Sequence, residues 1–378
     1  MLKLLEYYYC LNEILFKKTN FEDIIHFKED IEAKCNLYSF AIQYHLFYQS
    51  HYRSKTLIHD IRQNYSDLVI PYTNIPISIF YFNRVFLLLY LYLFNPIISL
   101  IISIYQYKLS FYSHFTNVLL FKNNWFTYWR LNSVLTTLLH NHLDNNQFIY
   151  ENKWNFYEFC NKNDFPVIET LSSDIFIKHI NKEGGMGCHS YKNVLDGGDY
   201  LIQNRLKNSD LFSKVLPYDA PLSTIRIITA KHNNDIQTIS SCFRAGTSCS
   251  ITDHDCICFN IDLNTGILKQ GKSNNKWYKN RCNLPDVSYN KHPETQKFVS
   301  GIEIPNWNYL KDKTCQLHKK MSNEIPIIGW DIALTNDGFK YLEANYSCNF
   351  FNINFNTHIY FKILNLYFTN YNLHTKDQ

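Results

Sequence analysis

IIGWDIALTNDGFKYLEAN, residues 327–345, predicts a β-hairpin whose register can be worked out. Two apolar-rich runs flank an Asn-Asp-Gly sequence that ends at Gly338, and a glycine that closes such a loop is a turn signal. If the loop has three residues, Gly338 adopts the left-handed conformation and Thr335 pairs with Phe339. A loop of two residues would shift this register by one.

The three-residue loop places Asp331 directly opposite Glu343 and puts Asn345 on the same face of the hairpin. The other face then receives the apolar side chains Ile328, Trp330, Ile332, Leu334, Leu342 and Ala344. Two facing carboxylates repel each other, and a bound magnesium ion (Mg²⁺) would remove that repulsion. Taken alone, the hairpin favours a simpler interpretation, an exposed turn with solvated acids.

The composition is that of a folded protein, with 46% hydrophobic and 17% aromatic residues among 378. This length allows two or three domains. The net charge of +4 comes from scattered basic residues, so the sequence gives no reason to expect a nucleic-acid partner. No secretory signal is evident at the N-terminus.

The eleven cysteines have no regular spacing, which is typical of reduced thiols in the cytosol. A zinc site is an alternative for Cys256 and Cys258, with Cys242 and Cys249 nearby. Against it, the spacing is not the paired C-x2-C form, and Cys256 and Cys258 lie in an alternating, strand-like run.

Residues 1 to about 125 are predicted to be mostly helical. Within them, residues 85–105 (VFLLLYLYLFNPIISLIISIY) form the most apolar stretch of the chain and are long enough to span a bilayer. Asn95 and Pro96 interrupt this stretch, and each half then has the length of a buried helix. A buried helical pair is therefore favoured, and a membrane span and a membrane-surface or hairpin association stay open as alternatives.

From about residue 123, predicted helices and strands alternate. Residues 147–162 and 308–323 are predicted helices, residues 200–210 begin as a short strand, and residues 259–268 are a hairpin. Two strands that meet around residue 233 carry Arg226 and Arg244. Such arginines are often salt-bridged edge residues, but two of them near a carboxylate and a lysine also suit phosphate binding.

A further strand starts at Ile175, ends in Lys178 and is followed by a glycine-containing loop that returns into a second strand. The loop glycines are Gly184, Gly185 and Gly187. Glycines let backbone N–H groups approach a phosphate, and a lysine on the preceding strand adds a positive charge. A flexible surface hairpin explains the same pattern equally well.

Taken in order, these segments resemble the ATP-grasp superfamily, and most of all its sugar-transfer-associated branch, which is related to glutamate-ligase-like carboxylate–amine ligases. The motifs that carry the resemblance are IFIKHINKEGGMG, YLIQNRL, LSTIRIIT, CFRAG, the NTG hairpin, HPETQKFVSGIEIPNW and IGWDIALTNDGFKYLEAN. The resemblance runs from about residue 123 to about residue 350. It implies an α+β fold in which two α+β subdomains grip ATP, in a domain of residues 123–378 that follows a mostly helical region of residues 1–122.

The resemblance also implies a role for individual residues. Lys178 and Lys153 would hold the phosphates of ATP, and the three loop glycines would cover them. The adenine hinge would be Gln203, Asn204, Arg205 and Leu206. Arg226 and Arg244 would face the γ-phosphate or an acyl-phosphate intermediate, and the magnesium ligands would be Asp331, Glu343 and Asn345. His292 lies in a motif of this branch and is a candidate for substrate contact.

The function implied is an ATP- and magnesium-dependent carboxylate–amine ligase of capsular or surface polysaccharide biosynthesis. We expect the protein in the cytoplasm, and at the inner face of the membrane if residues 85–105 associate with lipid. Its substrates would be a carboxylate and an amine, and either of them could be linked to a glycan. Two alternatives use the same domain: a phosphotransferase, and a non-catalytic nucleotide-binding assembly factor at the membrane. The chain departs from the branch at residues 247–259 and 346–349, where a substrate would be selected.

Overall fold

The computed structural model of the chain describes residues 2–17, 20–24, 27, 29–51, 55–60, 83–120, 122, 125–170, 175–178, 188–233, 235–248, 252–253, 256–273, 287–351 and 353–370. The described part of the first third is helical, as predicted. Its elements are α1 (Leu2–Phe16), α2 (Ile31–Leu46), α3 (Arg84–Leu89), a π-helical turn (Tyr90–Phe94), α4 (Asn95–Tyr107), α5 (Phe111–Leu119) and α6 (Trp125–His140).

The apolar stretch does not break at Asn95 and Pro96, so the prediction of a buried helical pair is wrong. The helix runs from α3 through the π-helical turn into α4, with Pro96 in the first turn of α4. A proline has no N–H for the carbonyl four residues earlier, which here belongs to Tyr92. The hydroxyl of Tyr8 on α1 donates to that carbonyl at 2.8 Å, so the helix continues without leaving the carbonyl unsatisfied.

A seven-stranded antiparallel sheet forms the centre of the rest of the chain, in the order β7-β6-β5-β4-β3-β8-β9. Its strands are β3 (Thr224–His232), β4 (Asp235–Gly246), β5 (Cys256–Ile261), β6 (Leu268–Ser273), β7 (Ser288–Tyr289), β8 (Ile327–Thr335) and β9 (Gly338–Asn345). A separate antiparallel pair joins β1 (Ile175–Lys178) and β2 (Cys188–Tyr191). The predicted strands around the glycine loop and around residue 233 are confirmed.

The remaining helices are α7 (Lys153–Lys162), α8 (Asp210–Ser213), α9 (Trp307–Met321) and α10 (Thr357–Asn370). Two segments differ from the prediction. The helix expected over residues 147–162 begins only at Lys153, because the side chain of Asn152 caps its first turn by accepting from two backbone N–H groups. Residues 200–210 form no strand; Gln203 makes one isolated bridge to Thr170.

A buried polar triad fixes α9 against the central strands. The hydroxyl of Thr229 on β3 lies 2.7 Å from Nδ1 of His318, and the indole N–H of Trp330 donates to the same hydroxyl at 2.7 Å. The other ring nitrogen of His318 lies 2.8 Å from the carbonyl of Ile325. Because all three side chains are fully buried, this network holds the start of β8, and with it the site described below, in a single arrangement.

The hairpin of β8 and β9 confirms the predicted pairing of Asp331 with Glu343 but not the loop that was expected to produce it. Thr335 pairs with Gly338, so the loop has two residues. This turn alone would separate the two acids by one position. A β-bulge, in which Leu342 is the extra residue, restores their pairing.

The bulge also changes one position on the apolar face. Tyr341, and not Leu342, lies opposite Ile332, and its ring centroid is 6.4 Å from that of Trp330. The predicted apolar residues of β8, together with Ala344, are buried. The hairpin therefore keeps one face in the core and offers the other, with its two carboxyl groups, to the site.

Candidate functional site

Three neighbouring strands bring two arginines onto one carboxylate. Arg226 on β3 is paired directly with Asp331 on β8, and its Nε and Nη2 atoms lie 2.5 and 3.0 Å from the two carboxylate oxygens. Arg244 on β4 reaches the same carboxylate with Nη1 at 3.4 Å. This is the convergence of both predicted arginines on a predicted metal ligand, in a bidentate geometry that fixes the guanidinium of Arg226.

Asp253 is a second carboxylate in this cluster, and it was not among the predicted site residues. It accepts from Nη2 of Arg244 at 2.6 Å and from the backbone N–H of Thr224 at 3.2 Å. Arg226, Arg244, Asp331 and Asp253 are each at least 93% buried, so two positive and two negative charges balance in the interior. Buried charges are tolerated when they are paired in this way, and removing one leaves an uncompensated charge.

The electrostatics of the cluster keep Asp331 ionised. Burial acts to raise the pKa of its carboxyl group, but Arg226 and Arg244 outweigh burial and hold that pKa below its ordinary value. The hydrogen bonds from Arg226 and the interaction with Glu343 act in the same direction. Asp331 is therefore a permanent anion at neutral pH.

Arg244 has an unused hydrogen-bond donor. Its Nε–H is buried and has no hydrogen-bond partner within the described part of the chain. The ring of Phe351 covers both guanidinium groups, with its centroid 5.0 Å from the central carbon of Arg244 and 5.1 Å from that of Arg226. A buried donor without a partner is costly, so the Nε–H of Arg244 is a candidate donor to an anionic oxygen of a ligand.

Glu343 and Asn345 extend the cluster toward solvent. Asn345 donates from its amide nitrogen to one carboxylate oxygen of Glu343 at 3.3 Å, and Lys153 lies 3.1 Å from the other oxygen. The carboxylates of Asp331 and Glu343 and the amide oxygen of Asn345 are hard ligands of the kind that magnesium takes. Glu343 is half-exposed, so the donor types of these three residues are compatible with a divalent cation reached from its side.

Close packing beneath the arginines depends on one glycine. A Cβ at Gly329 would lie 2.5 Å from the Cβ of Cys348 and 2.9 Å from Nη1 of Arg226. Any larger residue would displace the guanidinium from Asp331. Gly329 is a further residue of the site that sequence reasoning did not identify.

His292 does not open onto this site. It is fully buried, Nε2 lies 3.1 Å from the carbonyl of Gly246, and Nδ1 accepts from the backbone N–H of Glu294 at 3.3 Å. Both ring nitrogens are therefore engaged by the backbone. The carboxylate of Glu294 accepts in turn from the backbone N–H of Ser248 at 3.1 Å. His292 thus holds the loop at residues 246–248 in place, and its predicted contact with substrate stays a prediction.

Other predicted residues lie apart from the cluster or outside the described residues. The loop glycines Gly184, Gly185 and Gly187 fall outside them, as does the side chain of Lys178. In the predicted adenine hinge, Asn204 and Arg205 are exposed and Leu206 is half-buried. Gln203 is half-buried and donates to the hydroxyl of Thr170 at 3.3 Å.

The cysteines that suggested zinc form part of the core. Cys242, Cys256 and Cys258 are buried with Phe351 and Ile353, and the sulfur atoms of Cys256 and Cys258 are 3.6 Å apart. Across the described ranges, no group of three or more His, Cys, Asp or Glu side chains is arranged to hold a metal ion. Cys249 lies outside those ranges.

Residues 187–358 match the family model of the sugar-transfer associated ATP-grasp proteins. This part of the chain is therefore an ATP-grasp domain of that branch, and both the resemblance and the α+β fold are confirmed. The match supports ATP binding by this domain and an ATP-dependent, ligase-like activity in a glycan pathway. A comparison with curated proteins finds no match.

Proposed function

We propose that this protein is an ATP- and magnesium-dependent carboxylate–amine ligase that acts in the assembly of a capsular or other surface polysaccharide. The observation that carries the proposal is the row of Arg226, Asp331 and Arg244, bordered by Glu343 and Asn345. It combines fixed positive charge with hard oxygen ligands at one face of the sheet. Phosphoryl chemistry requires both of these features together.

The metal ligands in this proposal are Asp331, Glu343 and Asn345. A bound magnesium ion supplies charge neutralisation to phosphate oxygens that share it. Lys153, at 3.1 Å from Glu343, can exchange that carboxylate for a phosphate oxygen without leaving the site. Lys178 at the end of β1 adds a second positive charge from the other subdomain, as the family resemblance implies.

The reaction proceeds in two steps. An oxygen of the donor carboxylate attacks the γ-phosphorus of ATP, the bond from that phosphorus to the bridging oxygen breaks, and ADP leaves. The nitrogen of the acceptor amine then attacks the carbonyl carbon of the acyl phosphate. Inorganic phosphate leaves with the electron pair of the C–O bond, and the nitrogen loses a proton as the amide forms.

The arginines provide the electrostatic part of the catalysis. Asp331 and Asp253 hold both guanidinium groups in place before any substrate arrives, so little reorganisation is needed when negative charge develops on the transferred group. In this proposal the buried Nε–H of Arg244, which has no hydrogen-bond partner among the described residues, donates to an oxygen of that group. Removing one such donor typically raises the barrier by about 2 to 4 kcal/mol.

The test is the release of ADP and inorganic phosphate by purified protein with ATP and magnesium, assayed against a panel of amino acids and uronic-acid sugars. Glu343→Gln is the inactive control, since it removes one metal ligand at a half-exposed position. Tyr218→Glu, at a fully exposed residue outside the site, is the matched surface control. We expect release of both products only when a carboxylate and an amine are present together, and no release from Glu343→Gln.

Other results would support the alternatives. ADP release without phosphate release, together with a stable phosphorylated product, would identify a phosphotransferase. Magnesium-dependent ATP binding with no turnover, on the panel and on lipid-linked glycans alike, would favour a nucleotide-binding assembly factor.

A further inference from the structure

In the helical hairpin of α3, α4 and α5, the continuous helix from α3 to α4 exposes apolar side chains and buries polar ones, the reverse of a helix in a water-soluble protein. Its outer surface is apolar along most of its length, whereas α5 exposes Ser113 and Asn117. The apolar residues exposed on the continuous helix are Val85, Phe86, Leu89, Leu93, Phe94, Ile97, Ile98, Leu100, Ile101, Ile104 and Tyr105. Contiguous apolar surface on this scale marks a site that contacts another apolar phase.

The inner face of α4 carries most of its polar side chains. Asn95, Ser99 and Ser103 lie four residues apart on one stripe and are fully buried. The amide of Asn95 donates to the carbonyl of Leu119 at the end of α5, at 2.9 Å, and the hydroxyl of Ser99 lies 3.4 Å from the side-chain oxygen of Asn95. Small and polar residues between helices with aliphatic residues outside are the arrangement expected when the surroundings are hydrocarbon.

The backbone carbonyls of the π-helical turn also find their hydrogen-bond donors within the protein. The N–H of Asn95 donates to the carbonyl of Tyr90, which leaves the carbonyl of Leu91 without its usual donor. The hydroxyl of Tyr7 on α1 donates to Leu91 at 2.9 Å, as that of Tyr8 does to the carbonyl freed by the proline. The backbone irregularity thus needs no water, which is the condition for placing it at a bilayer.

The tip of the hairpin is its most exposed part. The chain reverses at Lys108, which has a φ of 44°, and α5 returns along α4. Leu109 at the tip is completely exposed, and Tyr105 and Tyr112 beside it are 77% and 53% exposed. The ring of Tyr107 stacks on that of His114 at 3.9 Å and joins the two arms.

The charge and the length of residues 84–119 indicate that the apolar phase is a lipid bilayer. Residues 84–119 contain no Asp or Glu, and their charged residues are Arg84 at the base and Lys108 at the tip. The most apolar window of 18 residues within this stretch has a mean hydropathy of 2.3, and the stretch is long and apolar enough to cross a membrane, but it turns back on itself. At 1.5 Å per residue, the continuous helix from Arg84 to Tyr107 is roughly 36 Å long, but α5 is only roughly 14 Å long. The returning arm is therefore too short to cross a hydrocarbon core about 30 Å thick, which limits insertion to one leaflet.

We propose that the hairpin of residues 84–119 inserts tip-first into one leaflet of an anionic lipid bilayer and holds the ATP-grasp domain at the membrane surface. Aliphatic side chains of α3 and α4 enter the acyl region, and the tyrosines and Lys108 near the tip reach back with their polar ends to the head groups. The buried stripe of α4 stays packed against α1 and α5. Membrane binding of this kind is independent of the ligase reaction and can be tested without ATP.

The test is flotation of the full-length protein with vesicles of phosphatidylcholine and phosphatidylglycerol, compared with vesicles of phosphatidylcholine alone. Leu109→Glu and Ile101→Glu place a charge on exposed positions that make no core contact, and Tyr218→Glu is the control on the other domain. We expect the wild type and the control to float with the anionic vesicles. Each hairpin variant is expected to reduce the bound fraction about tenfold or more, because a charge within the hydrocarbon strongly disfavours insertion.

A second variant tests the depth of insertion. The emission of Leu109→Trp, measured against the same protein without lipid, is expected to shift to shorter wavelength on addition of the anionic vesicles. The proposal is overturned if the wild type stays unbound to both kinds of vesicle, or if the glutamate variants float as well as the wild type. A wild type that ignores vesicles but dissociates into monomers when Leu109 becomes Glu would show that a second copy of the chain covers the hairpin, and this also overturns it.

Discussion

Asp331→Asn and Glu343→Gln remove the same charge from two residues that face each other, yet their effects on stability are expected to differ widely. Asp331 is about 95% buried and neutralises two buried arginines. Without its charge, Arg226 and Arg244 share only Asp253, so one positive charge is left uncompensated in the interior. Breaking a buried pair from one side costs about 3 to 5 kcal/mol in the free energy of unfolding.

Glu343 is in a different position. Its side chain is 29% exposed, and its ionic partner Lys153 is 63% exposed. Exposed pairs of this kind contribute about 0 to 1 kcal/mol. Glu343→Gln also relieves the repulsion from Asp331, which offsets part of that loss.

The assay is equilibrium unfolding in urea at neutral pH and without nucleotide, followed by circular dichroism. We expect a large fall in the transition midpoint for Asp331→Asn and a small change for Glu343→Gln, at similar slopes. Equal effects would refute the reasoning, because they would mean that the arginines do not depend on Asp331 for their charge balance. If Glu343→Gln is as stable as expected, it is the proper variant for tests of activity, whereas Asp331→Asn is not.

Three other predictions concern stability and pH. Phe351→Ala removes a buried ring that covers both guanidinium groups, and is expected to lower the free energy of unfolding by about 3 kcal/mol in urea titration; a loss well below 1 kcal/mol would contradict the packing described. Burial lowers the pKa of His318 to about 4 from 6.5, so only the unfolded chain takes up this proton between those values. Stability is therefore expected to be fully present above pH 6.5 and to fall as the pH drops toward 4, and His318→Gln to flatten that slope in thermal unfolding. Tyr8→Phe leaves the carbonyl of Tyr92 without a donor and is expected to lower the free energy of unfolding by about 1 to 3 kcal/mol. The loss should be smaller in a Pro96→Ala background, because alanine restores the missing N–H. Equal losses in both backgrounds would contradict this explanation of the helix at Pro96.

Sequence alone gave the pairing at the centre of the site but not the backbone that produces it. The predicted loop of three residues placed Asp331 opposite Glu343, and this pairing is correct although the loop is not, because the bulge compensates for the shorter turn. The Asn-Asp-Gly sequence, however, is compatible with a loop of two or three residues. A bulge at Leu342 has no sequence signature of its own, because it is decided by the burial of Tyr341 beside Trp330.

The misread helix has a similar cause. A proline within an apolar run normally ends or kinks a helix, and that local rule predicted two buried segments. The rule fails here because hydroxyl groups of Tyr7 and Tyr8, more than 80 residues away in the chain, satisfy the freed carbonyls. Contacts over such a distance cannot be read from one sequence.

Two residues of the charge cluster were missed for a related reason. Asp253 lies in a polar segment that also contains Asp255, and the sequence does not distinguish the two acids. Only the fold shows that Asp253 accepts from Arg244 and Thr224. Phe351 lies just beyond the end of the resemblance at about residue 350, so the resemblance assigned it no role. The arginines were predicted from their positions on two strands, and their role toward phosphate from the family resemblance.

The central claim is that Asp331, Glu343 and Asn345 form the cation-dependent face of the ATP site, and calorimetric titration with ATP tests it most directly because no other substrate is needed. ATP binding is measured with and without magnesium for the wild type, for Glu343→Gln and for the surface control Tyr218→Glu. We predict magnesium-dependent binding in the wild type and the surface control, and a loss of affinity of about tenfold or more in Glu343→Gln, the size expected when one charged ligand is removed. Equal affinity for ATP in Glu343→Gln and in the wild type, with and without magnesium, would contradict the claim.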